Sequence, residues 1–143
     1  MDKITMKIEF DIKGKAKAKQ SVKFTRGGTK YTPSDVVEYS NYVKLSFMNK
    51  YSDWESNNFT GKQLKTEINV YMQIPQSWSK KKQEMAAKGE IRPTVKPDCD
   101  NIAKNINDAL NGIVYPDDKQ ITSLLVNKYY SANEYVNVKI SVI

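Results

Sequence analysis

From Leu64 to Ile74 the chain alternates without a break. Leu64, Thr66, Ile68, Val70, Met72 and Ile74 fall on one side, with Lys65, Glu67, Asn69, Tyr71 and Gln73 on the other, and Pro75 follows. A period of two over this length requires a strand with one face covered and one face polar. Such a strand needs partners, and the rest of the chain supplies them. Ile4, Met6, Ile8, Phe10 and Ile12 alternate with Thr5, Lys7, Glu9 and Asp11. Ile121 to Tyr130 reads as a buried strand, and Glu134 to Ile143 as a last strand with Val136, Val138, Ile140 and Val142 on its core face, joined through the tight connection Ser131-Ala132-Asn133. Elsewhere the period changes. Thr32 as N-cap, Pro33 at the first helical position and Asp35 in the first turn open a helix whose Val36, Tyr39, Val43 and Phe47 carry it to about Lys50. The polar stretch Ser52 to Lys62 reads as a loop, and Gly27-Gly28 as a turn. Ser77 is placed to cap a short helix, SWSKKKQEMAAK, which Gly89 stops. A further helix starts near Asp100. The order is strand, helix, strand, short helix, helix, strand, strand. It predicts a single small α+β domain over residues 1–143, with a mixed or antiparallel sheet of about four strands packed with two longer helices.

Charge and composition narrow the function. The chain has 23 Lys and Arg against 16 Asp and Glu, a net charge of +7. Seven of the basic residues, Lys13, Lys15, Lys17, Lys19, Lys23, Arg26 and Lys30, lie between Ile12 and Ser34 with no acid among them; without them 16 basic residues face 16 acidic ones. An excess confined to one segment points to a polyanion partner such as DNA, the alternative being a solvated, lysine-rich edge loop. Lys80, Lys81 and Lys82 beside Trp78 allow the same two readings, phosphate contact or a solvated helix face. The absence of histidine excludes Ser-His-Asp and Cys-His nucleophiles, histidine bases and histidine zinc sites. A single cysteine, Cys99, excludes an intramolecular disulfide and fits a reducing cytoplasm. No apolar run approaches the ~20 residues of a membrane helix, and MDKITMKIEF lacks the apolar core of a signal peptide. The common glycine-rich phosphate loops are missing too. Any catalysis by such a chain must rest on carboxylates and lysine, with or without a hard metal ion.

Those groups gather in Lys96 to Gln120, KPDCDNIAKNINDALNGIVYPDDKQ. With a helix starting near Asp100, Ile102, Ala103, Ile106, Ala109, Leu110 and Ile113 form an apolar stripe that docks on the sheet. Asp100, Lys104 and Asp108, spaced i, i+4, i+8, line a second stripe nearly opposite. Asp98 sits where a short carboxylate can cap the helix, and capping is the plain reading of one of the two acids. The other reading is a metal cage. Asp98 and Asp100, with the pair Asp117 and Asp118 at the start of the next strand, can converge on an oxygen-ligated ion, for which Mg²⁺ is suited. Lys104 would then neutralise charge on a transferred phosphoryl group or protonate the leaving oxygen. Without such a role it makes only exposed ion pairs with Asp100 and Asp108, each worth less than about 1 kcal/mol.

KPDCDNIAKNINDALNG, followed by DDKQI at a strand start, resembles the signature of the RusA-type Holliday junction resolvases: Asp-x-Asp-Asn, a lysine four residues after the second Asp, Asp-Ala-Leu, then Asp-Asp-x-Gln. The upstream GKAKAKQSVKFTRGGTKYTPS and its flanking strand and helix are similar to that family's N-terminal half. The resemblance implies a small α+β homodimer, often prophage-encoded, that cuts four-way DNA junctions with Mg²⁺ in recombination and repair. It implies that Asp98, Asp100 and Asp118 bind metal, that Lys104 is catalytic, and that the basic segment meets DNA. Asp118 rather than Asp117 matches the second acid of the motif. Gln20-Ser21-Val22-Lys23-Phe24 stands where relatives often carry arginines around a proline. The competing expectations are a catalytically silent DNA-binding dimer that uses the lysines alone, and a basic RNA-associated protein.

Overall fold

The computed structural model describes residues 6–17, 23, 24, 27, 30, 31 and 34–143. Its centre is the strand that the alternation marks most clearly. β1 (Lys7–Lys13), β4 (Leu64–Gln73), β5 (Ile121–Ser131) and β6 (Tyr135–Val142) form one sheet in the order β1-β6-β4-β5, while β2 (Lys23–Phe24) and β3 (Lys30–Tyr31) make a separate small hairpin. β6 pairs antiparallel with both β1 and β4, and β5 lies parallel to β4, so the sheet is mixed. Parallel neighbours need a crossover, and α2 (Lys80–Ala87) and α3 (Cys99–Leu110) lie on the one between β4 and β5.

Register carries the period-two pattern across all four strands. Phe10, Val138, Ile68 and Val126 form one transverse row on the helix-facing side, while Asp11, Asn137, Asn69 and Asn127 form the neighbouring row on the other. A slip by one residue would turn every apolar side chain outward. The apolar side is covered by α1 (Ser34–Lys50) and α3, whose buried Tyr39, Val43, Phe47, Ile102, Ala103, Ile106, Ala109 and Leu110 join the sheet in one core. Phe47 meets Phe10 edge-on at 5.4 Å and stacks on Tyr51 at 5.3 Å. Trp54 closes this corner, donating its indole N–H to the Val114 carbonyl at 2.9 Å.

The α+β class and the four-strand mixed sheet agree with expectation, and several details differ. The stretch Ser52–Lys62 contains a 3₁₀ turn, Ser56–Phe59, because the fully buried Phe59 anchors it against Trp54 at 4.9 Å. Ser79, not Ser77, caps α2 by accepting from the Lys82 N–H, since the chain first turns back through a Trp78 N–H to Pro75 carbonyl bond. α3 ends at Leu110, where Asn111 becomes extended and Gly112 takes φ 79°, so Ile113 packs from a turn and not from the helix. β5 is the edge of the sheet and not a buried strand: Leu124 and Leu125 are 48% and 42% exposed. A short apolar run looks the same on an edge as in a core. The expected cap at Thr32, Pro33 and the strand residues Ile4 and Thr5 lie outside the described residues. Among the described residues no helix is long and apolar enough to cross a membrane.

Candidate active site

The apolar stripe of α3 fixes which way its polar side points. With Ile102, Ala103, Ile106 and Leu110 held against the core, Asp100 and Lys104 face solvent and Asp108 is half-buried. Asp98 occupies the N-cap position with extended backbone (φ −74°, ψ 147°), and its carbonyl accepts the Ile102 N–H at 3.0 Å. Its carboxylate makes no capping hydrogen bond. The plain capping role is therefore not what this side chain performs. The peptide bond between Lys96 and Pro97, just upstream, is cis. Further along the helix, Lys104 Nζ lies 3.8 Å from Asp108 Oδ2.

The second acidic pair is delivered by a turn that folds back on α3. Tyr115 is fully buried and donates its hydroxyl to the Asn107 carbonyl at 3.0 Å, and Gly112 N–H donates to the Tyr115 carbonyl at 2.8 Å. The two aspartates then take different roles. Asp117 caps the 3₁₀ turn Asp118–Gln120, accepting from the Lys119 N–H at 2.9 Å, while Gln120 Oε1 accepts the Asp117 N–H at 3.3 Å. Gln120 also donates to the Phe59 and Lys62 carbonyls at 2.7 and 3.2 Å, tying this turn to the loop before β4. Its bond to the Lys119 N–H holds the Asp117 carboxyl below the ordinary carboxylate range. Asp118 behaves oppositely. Burial pushes its carboxyl up, and the neighbouring Asp117 and Asp108 add to the shift; Lys104 opposes it. The hydroxyl of Tyr115 is likewise driven up, first by burial and then by the charges of Asp118 and Asp108.

The structure thus brings Lys104, Asp108, Asp117 and Asp118 together at the C-terminal half of α3, over Tyr115. Asp98 and Asp100 stand at the other end; eight residues of helix separate Asp100 from Asp108, a rise of ~12 Å. Among the described residues no group of three or more Cys, Asp or Glu is arranged to hold an ion as it stands. The donor chemistry nevertheless suits a hard divalent cation. Every side-chain donor is a carboxylate oxygen, and Asp118, raised first by burial, also feels the negative charge of Asp108 and Asp117, which such a cation would offset.

The basic segment runs past the same helix. Lys13, Lys15 and Lys17 are exposed while Ala16 between them is buried, so the extended chain turns its lysines outward. They line a groove with Glu38, Tyr39 and Tyr42 of α1. Asn105, buried on α3 next to Lys104, donates to the Lys17 carbonyl at 2.9 Å. Burial of Tyr39 beside the Lys17 backbone pushes its hydroxyl up to about 12. Lys23 and Lys30 belong to the β2–β3 hairpin, and Lys19 and Arg26 lie outside the described residues. In the other lysine cluster, Lys82 Nζ sits 4.0 Å over the Trp78 ring. Sequence reasoning missed Asn105, since a lone polar residue inside an apolar stripe is easily passed over. It also missed the capping role of Asp117, although Asp-x-x-Gln is a capping-box spacing.

The family profile described as Endodeoxyribonuclease RusA matches residues 11–141. The chain belongs to the RusA family. The match takes in the basic segment, α3 and the Asp117–Asp118 turn together. The chain is also similar to a protein of Bacillus subtilis (strain 168) named "Uncharacterized protein YqaN", with 49% identity over 76 residues. That stretch is 52% of this chain and 54% of the relative, so the likeness spans about half of each.

Proposed function

We propose that this RusA-family protein is a Mg²⁺-dependent, structure-selective DNA endonuclease that resolves four-way junctions by paired phosphodiester cleavage, acting in the cytoplasm in DNA recombination and repair. The observation that carries the reading is the meeting of Asp118 with Lys104 and Asp108, on a chain matched by the RusA profile almost end to end. Asp98 and Asp100 from the start of α3 and Asp118 from the turn are the carboxylates assigned to the ion. They stand apart among the described residues, so binding would have to draw them together, and the ion would supply Lewis-acid charge at the phosphoryl oxygens. Asp118 is preferred to Asp117 because the Asp117 carboxylate is already spent on its cap. Lys104 places an ammonium at the centre of the acid row, where it offsets charge on the phosphoryl group or gives a proton to the leaving oxygen. Asp108 holds Lys104 in place. Lys13, Lys15 and Lys17 guide the DNA backbone along the groove beside α1, and Lys19, Lys23, Arg26 and Lys30 of the same basic segment are assigned to DNA contact from the sequence.

A two-fold dimer suits a junction of similar symmetry, and the edge of β5 is the surface we assign to it. Ser131 O points toward β4, where Ile74 N–H reaches it, and Lys128 O points away, where Arg92 reaches it. By alternation Leu124 and Val126 present their N–H and C=O outward. In a chain of net charge +7, Ile121–Asn127 is entirely uncharged, so a second copy can pair antiparallel there without like-charge contact.

The contrasting reading, a catalytically silent DNA-binding dimer, draws on the absence of a closed three-carboxylate cluster among the described residues. A labelled four-way junction incubated with the protein, with Mg²⁺ or with EDTA, separates the two. Mg²⁺-dependent, paired nicks favour the nuclease; tight, salt-sensitive binding without nicking favours the silent binder. Better competition by structured RNA than by junction DNA would displace both.

A further inference from the structure

Between the end of α2 at Ala87 and the start of α3 at Cys99 the chain has no regular element. Among the described residues, 91–97 make no backbone-to-backbone hydrogen bond. Yet this segment sets where α3 begins and hence where Asp98 stands. What holds it is side chains, and they come from both faces of one strand. Arg92 donates Nε to the Lys128 carbonyl at 2.9 Å and Nη2 to Asn127 Oδ1 at 3.2 Å, and its guanidinium lies 4.4 Å from the centre of the Tyr129 ring. Asn127 and Tyr129 are in register with Asn69 and Tyr71, on the face away from α1 and α3. Lys128 is in register with the buried Val70 on the opposite face, and it donates its ammonium to the Val95 carbonyl.

The anchor is itself braced. Asn127 Nδ2 donates to Asn69 Oδ1 at 3.0 Å, Asn69 reaches Asn137 at 3.5 Å, and Asn137 donates to Asp11 at 2.9 Å. This hydrogen-bonded row runs from the Arg92 cation across the whole sheet to a carboxylate on β1. Parallel to it, Tyr129, Tyr71 and Tyr135 stack at centroid distances of 5.5 and 4.5 Å. Arg92 caps one end of each row. A planar guanidinium with five donors can bond an amide and a carbonyl while lying on a ring, which an ammonium cannot.

We propose that Arg92 and Lys128 are positioning residues that clamp segment 91–97 to β5 and thereby fix the placement of Asp98. The proposal rests on the reading of Asp98 as a functional carboxylate. Its test compares the full-length wild type with Arg92→Ala, Arg92→Lys and Lys128→Met. Backbone ¹⁵N relaxation reads the clamp directly, because the amides of 91–97 have no backbone hydrogen-bond partners among the described residues whose loss exchange could report. Single-turnover cleavage of a four-way junction across a Mg²⁺ titration reads its effect on the site, and junction binding in EDTA with thermal melting checks the rest of the molecule. In Arg92→Ala, the ¹⁵N order parameters should fall over 91–101 and nowhere else. Cleavage should fall by roughly 10–100-fold, as for other residues that support a ligand from behind. The Mg²⁺ needed for half-maximal rate should rise, while binding in EDTA stays at the wild-type level. Arg92→Lys should recover part of the rate, and Lys128→Met should repeat the pattern more weakly. Unchanged order parameters over 91–101 in Arg92→Ala overturn the clamp. So does an unaltered Mg²⁺ dependence, or a loss that follows weaker junction binding or greater mobility throughout the chain. A wild-type protein that cuts no junction under any condition removes the nuclease reading alone, because the order parameters over 91–101 do not depend on cleavage.

Discussion

Lys104→Met separates chemistry from stability, and the structure sets both magnitudes. The ammonium lies 3.8 Å from Asp108 Oδ2, with side-chain exposures of 65% and 35%. At that distance in water two unit charges attract by only about 1 kcal/mol, and side-chain ordering and salt leave an i, i+4 pair worth ~0.3–0.5 kcal/mol. For a domain of this size 1 kcal/mol corresponds to roughly 2–4 °C, so Lys104→Met should melt only ~1–2 °C below wild type. The methionine keeps the length of the aliphatic stem and its packing on α3. Cleavage should respond on another scale. If Lys104 neutralises or protonates the reacting phosphate, its removal costs about 10²–10⁴-fold in rate. The assay pairs a thermal melt with single-turnover cleavage of a labelled junction at saturating Mg²⁺. Cleavage at the wild-type rate refutes the role given to Lys104. So does a drop of many degrees in melting temperature that accounts for the lost activity, since Lys104 would then be a structural residue.

In Mg²⁺-free protein the Asp118 carboxyl should titrate above the ordinary carboxylate range, and Lys104→Met should push it further up by removing the cation that opposes the shift; carboxyl carbon NMR reads both. A raised folded-state pKa favours the fold below the unfolded value and loses that contribution as pH rises through the folded one, so Asp118→Asn should melt at or above wild type at pH 7, and a clearly lower melt contradicts this. Asn105→Ala removes a buried bond to the Lys17 carbonyl, which should cost about 1 kcal/mol and also weaken junction binding in EDTA; wild-type affinity would detach Asn105 from the DNA surface. Leu124→Asp places a charge at the centre of the β5 edge and should turn a dimer into a monomer by light scattering, whereas a dimer that survives the change lies elsewhere.

Sequence and structure agree most closely where a period leaves one solution. β4 and β6 each bury one face of an alternating strand, and the α3 stripe docks as its spacing requires. β5 was not legible in the same way. Thr122-Ser123-Leu124-Leu125 has no period, and its edge position depends on which strand the crossover returns beside, a tertiary choice that local sequence does not encode. The site divides likewise. Asp100, Lys104 and Asp108 follow from helical spacing alone. The difference between Asp117 and Asp118 depends on a turn held by Gln120 on the Phe59 and Lys62 carbonyls, some 60 residues away. Arg92 lay outside any motif, because its partners come from β5 and converge only once the sheet has formed.

The most direct measurement of the central claim is single-turnover cleavage of a four-way junction by wild type, Asp100→Asn and Asp118→Asn, with Mg²⁺ and with EDTA. Wild type should make paired nicks in Mg²⁺ only, both variants should lose cleavage, and all three should keep junction binding in EDTA. Cleavage by either variant at the wild-type rate, or by wild type in EDTA, would contradict the assignment of these carboxylates to a metal-dependent nuclease.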